Sequence, residues 1–167
     1  MSQILNWPNG VVFKDFGGSP GGWLSADPVF LWEVQDTPII YCDSEGTIHR
    51  PVQNIGITDF GTIPWILQVV PSLHPLRFKI PCMFHDDCFQ THEFCISKDN
   101  GITWNNVLVN QRQANDRLHD MILVNPSRVG TSSQANMYWV GIQGGGWMYW
   151  GSRAETVRKL KRSFITY

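Results

Sequence analysis

The chain is expected to fold as one α+β domain: a small N-terminal antiparallel sheet packed on an antiparallel helix pair that carries a His-Asp motif, with a Trp-rich C-terminal helix. Three observations predict it. Residues 1–60 are rich in turns and short apolar runs, and residues 103–124 repeat apolar side chains every three or four positions. The length of 167 residues suits a single domain (1–167) that buries a real core without metals or disulfides.

Taken in order, Gly17, Gly18, Pro20, Gly21 and Gly22 make a loop, and residues 29–34 and 38–41 read as strands. Asp43-Ser-Glu-Gly46 is a turn before a further extended run over 47–52. From Ile63 the pattern changes, with Ile66, Leu67, Val69 and Val70 forming an apolar patch closed by Pro71. Pro81 interrupts the segment 76–92. Proline is tolerated in the first turn of a helix but costs about 3 kcal/mol inside one, so the helix is expected to start near Pro81. Val107, Gln111, Ala114, Leu118, Met121 and Ile122 predict a second helix over 103–124, ended by Asn125-Pro126. A third is expected over 133–142, before Gly144, Gly145 and Gly146 bend the chain ahead of Trp147-Met-Tyr-Trp150. The domain therefore divides into a β-rich part (1–60), a helical part (61–151) and a basic tail (152–167). The tail holds Arg153, Arg158, Lys159, Lys161 and Arg162 and reads as a solvated helix face or a frayed end.

A formal net charge of −1 gives no whole-molecule field to attract nucleic acid or anionic headgroups. Any lipid contact would be local and apolar. No run approaches the roughly 18 apolar residues of a membrane span, and the start MSQILNWPNG has neither the basic nor the apolar region of a secretory signal. No transmembrane segment and no signal peptide are expected. The four cysteines, at positions 42, 82, 88 and 95, are then expected as free thiols. The 8 tryptophans are assigned mainly to the core, where most large aromatics lie.

The stretch PCMFHDDCFQ, residues 81–90, sets His85, Asp86 and Asp87 among apolar neighbours. On a helix His85 and Asp86 lie about 100° apart, so they serve different neighbours. That separation suits a division of labour in which a histidine takes a proton from water and a carboxylate holds a hard cation such as Ca²⁺. It equally suits two helix-surface residues favoured by the N-terminal dipole.

The longer spelling, Cys82-Met-Phe-His85-Asp86-Asp87-Cys88-Phe89, resembles the catalytic helix of secreted phospholipases A2, with Pro81 in place of a Cys and Phe89 in place of a Tyr. The resemblance implies His85 as general base, Asp86 as a Ca²⁺ ligand, and a carboxylate on the following antiparallel helix that orients the base. Two neighbours compete for that last role. Asn115-Asp116-Arg117 is similar to the family's Cys-Asp-Arg, which assigns Asp116. Helical register instead puts Asn115 on the face of Leu108, Gln111, Leu118 and Ile122. Asp116 is taken as the expected partner, with Asn115 as the alternative.

A second resemblance spans roughly residues 47–151. Ile55-Gly-Ile-Thr-Asp59-Phe-Gly-Thr-Ile-Pro64, the His-Asp helix, Asn115-Asp116 and the stretch from Tyr138 are similar to an uncharacterised phage and prophage family. It implies a phage virion or an infected bacterial cell as the setting. It also suggests Asp59 as a second Ca²⁺ ligand, against the plainer reading that Asp59 caps a turn. Gly17–Gly22 is a weak candidate for a calcium loop, too far upstream. The function these resemblances imply is a Ca²⁺-dependent hydrolase acting on a lipid ester, with phospholipid or a membrane surface as partner. The alternatives are a non-enzymatic virion or assembly protein that binds other phage structural proteins, and a hydrolase of a cell-wall amide. A zinc site at Cys88, His92 and Cys95 lacks a matching fourth ligand. His49, His74 and His119 show no partner pattern.

Overall fold

The computed structural model describes residues 3–6, 11–15, 30–34, 40–53, 55–58, 78–124, 132–145 and 150, which form an α+β fold. The strands are β1 (Gln3–Asn6), β2 (Val11–Asp15), β3 (Phe30–Val34), β4 (Ile40–Cys42), β5 (Ile48–Arg50), β6 (Ile55–Thr58), β7 (Glu93–Ser97) and β8 (Asn105–Leu108). The helices are α1 (Lys79–Thr91), α2 (Gln111–Leu123) and α3 (Ser132–Gly145). The strands form two antiparallel sheets, one in the order β1-β4-β5-β7-β8 and one in the order β2-β3-β6. The larger sheet is not confined to the N-terminal third, because β7 and β8 join it from beyond α1.

Two sequence readings change here. Residues 105–108 were expected to open the second helix, but they pair with β7 as an edge strand, Glu93 opposite Leu108 and Phe94 opposite Val107. The helix starts after them because Asn110 caps it. The Asn110 side chain accepts from the Gln113 N–H and the Gln113 side chain accepts from the Asn110 N–H, so two orphan donors are satisfied reciprocally. The β7–β8 connection is held by Asp99, which accepts from Ser97 Oγ and from the N–H and hydroxyl of Thr103. Those donors bring its pKa down to about 2. Asn100 and Gly101 take positive φ in the turn, where Gly101 meets no steric penalty.

Helix α1 begins two residues before the expected start. Pro81 is its third residue, still within the turn whose N–H groups have no intrahelical acceptor, so the ring costs no hydrogen bond. The helix ends at His92, which adopts the left-handed conformation and returns its N–H to the Cys88 carbonyl. Every residue from Ile80 to Gln90 is buried. A helix wrapped on all sides is the centre of a fold rather than one face of it.

Its wrapping is shared out by face. Phe78 and Cys82 pack with Leu118 and Ile122 of α2 and with Ala135, Tyr138 and Ile142 of α3. Ile80, Met83, Phe84, Cys88 and Phe89 pack with Trp32, Tyr41 and Phe94 of the strands, and with Ala114 and Met121. The start of α1 thus meets the end of α2, while His85 meets Asn115, so α1 and α2 run antiparallel. The pairs Asp116 with Trp139 and His119 with Asn136 run α2 against α3 in the same sense. In the smaller sheet Trp32 stands opposite Gly56, and its indole lies where a Cβ on residue 56 would be. That close approach makes glycine the residue that fits. The four cysteines are free thiols, as expected.

Candidate functional site

The three polar residues in the middle of α1 would be costly to bury unpaired, and each finds a partner on a different element. His85 faces α2, with Nε2 2.8 Å from Asn115 Oδ1. Asp86, one residue on, accepts from the Thr58 hydroxyl at 2.6 Å, at the end of β6. Asp87, a further step round, accepts from the Val52 N–H at 2.6 Å and from Gln53 Nε2 at 2.9 Å, just past β5. The helix is pinned to another helix, to strand β6 and to the segment that follows β5 by consecutive residues. His85 and Asp86 do serve different neighbours, as the 100° rotation per residue implies.

His85 is 5% exposed and its ring lies against Phe89, with centroids 4.2 Å apart. With the amide oxygen of Asn115 turned to the ring, Nε2–H donates and the proton is fixed on that nitrogen. Nδ1 then carries the lone pair. It has no hydrogen-bond partner among the described residues and lies 3.7 Å from Asp86 Oδ1, beyond direct hydrogen-bond distance. A basic nitrogen and a carboxylate oxygen are therefore adjacent, without either quenching the other.

The assignment of Asp116 as the partner of His85 is corrected. Asp116 has its side chain 52% exposed and points away from α1; it accepts from Trp139 Nε1 at 2.8 Å and sits 3.8 Å from Arg112. Helical register decides the matter: Asn115 belongs to the inward face with Leu118 and Ile122, and one residue later the helix has turned about 100° toward solvent. The base therefore has an amide rather than a carboxylate against it. Asp59, the expected second cation ligand, lies outside the described residues, as do Gly17–Gly22 and the basic tail. Thr58, its chain neighbour, reaches Asp86 directly. Among the described residues, no group of three or more His, Cys, Asp or Glu side chains is gathered to hold a metal ion. Cys88 and Cys95 are buried, and His92 Nε2 bonds the Trp150 carbonyl at 2.7 Å while its ring stacks on that indole.

Sequence reasoning passed over one cluster entirely. His49 Nε2 lies 2.9 Å from Asp43 Oδ2, and Arg117 Nη1 donates to the same oxygen at 3.3 Å. Asp43 Oδ1 accepts the N–H groups of Glu45 and Thr47 across the β4–β5 turn. The Arg117 guanidinium also lies over the Tyr41 and Phe94 rings. Burial raises the Asp43 pKa, but the hydrogen bonds from His49 and Thr47 and the charge of Arg117 outweigh it and leave the value lowered. Burial, then Arg117, push His49 down to about 4 against the opposing pull of Asp43, so the ring is neutral at pH 7. The signal available in the sequence was Asp43-Ser-Glu-Gly46: an Asp that starts a turn accepts from the backbone two residues on. Its second oxygen is then free for a side chain on the returning strand.

Compared with known proteins, the chain matches no family model, no curated protein and no solved structure. Among the described residues, no helix is long and apolar enough to cross a membrane.

Proposed function

We propose that the chain is a hydrolase of phospholipase A2 type, in which His85 Nδ1 takes a proton from the water that attacks a lipid ester. The observation that supports this reading is the 2.8 Å contact between His85 Nε2 and Asn115 Oδ1 across an antiparallel helix pair. It holds the tautomer in which Nδ1 is the basic atom, as a general base requires. An amide does this by accepting from the ring, though it lacks the charge that would stabilise the imidazolium formed as the proton arrives. Thr58 fixes one oxygen of Asp86, and the other faces the reacting side of the ring.

Calcium is part of the proposal, held by Asp86 with Asp59. Ca²⁺ takes six to eight oxygens; among the described residues Asp86 would bring one carboxylate to it, 3.7 Å from His85, while the oxygens of Asp87 are engaged by Val52 and Gln53. When bound, such an ion supplies Lewis-acid polarisation of the ester carbonyl. Calorimetric titration of the wild type and Asp86→Asn with Ca²⁺ tests this part: weaker binding in the variant supports it, and equal affinity or none in either chain overturns it.

A second reading, a non-enzymatic phage virion or assembly protein, is favoured by one specific observation. His85 is 5% exposed with an amide partner, which a hydrogen-bonded core residue also satisfies. Fatty-acid release from aggregated phospholipid with Ca²⁺ present separates the two. The hydrolase reading expects release by the wild type and its loss in His85→Gln; no release by the folded wild type leaves the assembly role as the reading that stands.

A further inference from the structure

The β7–β8 connection carries a chemically labile pair, Asn100-Gly101, one of two Asn-Gly pairs in the chain. Both residues have positive φ, 56° at Asn100 and 85° at Gly101, and the Ile102 N–H returns to the Asp99 carbonyl across them at 3.4 Å. Asparagine followed by glycine suits such a turn because both residues tolerate that backbone. The same pairing sets the least hindered of main-chain amides beside an asparagine side chain. Asn100 is exposed to water.

An Asn-Gly pair reacts with itself when the glycine nitrogen attacks the asparagine Cγ. The N–Cγ bond forms, the bond from Cγ to the side-chain nitrogen breaks, and that nitrogen leaves as ammonia with the proton the glycine amide gives up. Water then opens the cyclic imide to aspartate or isoaspartate. The attack asks two things of Gly101: its amide has to turn toward the Asn100 side chain, and its nitrogen has to lose a proton. Here that N–H instead donates to Ser97 Oγ at 2.8 Å. Ser97 is 1% exposed and its own hydroxyl donates to Asp99 Oδ1 at 2.6 Å, so the acceptor is itself held in place.

We infer that Asn100 is a site of spontaneous deamidation and that the Ser97 hydroxyl keeps it closed in the folded chain. Reaction proceeds from the fraction of molecules in which the turn has opened, so loss of that one hydrogen bond raises the rate. The product carries a further negative charge beside Asp99. As isoaspartate it also adds a main-chain carbon to the turn that joins β7 to β8, the edge strand of the larger sheet. The hairpin therefore loosens as the modification accumulates.

The experiment follows conversion at mildly alkaline pH in the full folded chain and in the same chain unfolded in guanidinium chloride. Peptide mapping by mass spectrometry reads Asn100 separately from Asn9, which also precedes a glycine. Asn100 is expected to convert at least about tenfold more slowly in the folded chain. Ser97→Ala removes the acceptor and should raise the folded rate by about three- to tenfold, the worth of one hydrogen bond. Thr103→Val cuts a different bond to Asp99 in the same turn and leaves the Gly101 contact, so its rate should stay within about twofold of the wild type. Hydrogen exchange at the Gly101 amide gives a reading that depends on no variant, and it should be slowed in the folded wild type by about tenfold or more. The inference is overturned by equal conversion in folded and unfolded chains, by a Ser97→Ala rate no higher than the wild type, by Thr103→Val reacting as fast as Ser97→Ala, or by a Gly101 amide that exchanges as freely as in the unfolded chain.

Discussion

His85 Nε2 and Asn115 Oδ1 meet at 2.8 Å between two antiparallel helices, with Asn115 fully buried and His85 nearly so. The contact orients the ring but gives it no charge. A base held this way accepts a proton less readily in the transition state than one backed by a carboxylate.

Asn115→Asp therefore supplies the missing charge on the inward face. If His85 is the base, the substitution raises the rate of fatty-acid release, by on the order of tenfold or more. It also lowers stability, because a carboxylate at a fully buried position has to be desolvated. Initial rates and a thermal melt read the two effects together. A folded variant with unchanged or lower turnover would count against His85 as the base.

Asp116→Asn should do almost nothing. The side chain is half exposed, and an amide oxygen still accepts from Trp139 Nε1. Turnover should match the wild type, and stability should change by less than about 0.5 kcal/mol, as at most surface positions. A large loss of turnover would restore Asp116 to the site.

The contrast between these neighbours shows what the sequence could and could not reveal. The spacing of Ala114, Leu118, Met121 and Ile122 fixed the helix face correctly, and by that face Asn115 was already the inward residue. The resemblance pointed to Asp116 instead, and periodicity was the better guide because burial, not spelling, decides what a helix presents to its neighbour. Periodicity misled one turn earlier. Val107 continues the same three-to-four spacing, yet it lies in β8, and only the Asn110-x-x-Gln113 box marks where the helix begins. Strand β7 was missed because five residues are too few to show a period, and its place in the sheet depends on pairing with β5, more than 40 residues back in the chain. The His49–Asp43 pair was hidden for a related reason: six residues apart, they meet because a turn folds one strand onto the next.

Asp87, adjacent to the candidate site, is predicted to matter for stability and not for chemistry. Its two oxygens hold the Val52 N–H and the Gln53 amide, and it is 1% exposed. Asp87→Ala removes those acceptors and leaves a backbone N–H without this partner, a loss of about 2 kcal/mol or more. In a chain of this length that is a drop of roughly 4–8 °C in melting temperature. Differential scanning calorimetry checks it, and a melting temperature within a degree or so of the wild type would show that Asp87 is not the pin it resembles.

The buried His49 makes stability depend on pH in a defined window. Its pKa is about 4 in the folded chain, against an ordinary value of 6.5, because burial and Arg117 both disfavour the charged ring. The folded value is the lower one. Between about pH 6.5 and pH 4 the unfolded chain therefore holds a proton that the folded chain does not, and stability rises with pH through that window. The contribution is complete above about pH 6.5 and gone below about pH 4, with a span on the order of 3 kcal/mol. Asp43, the group facing the ring, has its pKa lowered below 3.8, so its own contribution is present above that value and lost below it, outside the histidine window. His49→Gln removes the titrating group and keeps a donor for Asp43. Melting temperatures of wild type and variant, taken at intervals from pH 7 to pH 4.5, should converge as the pH falls: the wild type loses stability on acidification and the variant loses less. Parallel curves would mean that His49 titrates normally in the folded chain, and that its ring is not held neutral between Asp43 and Arg117.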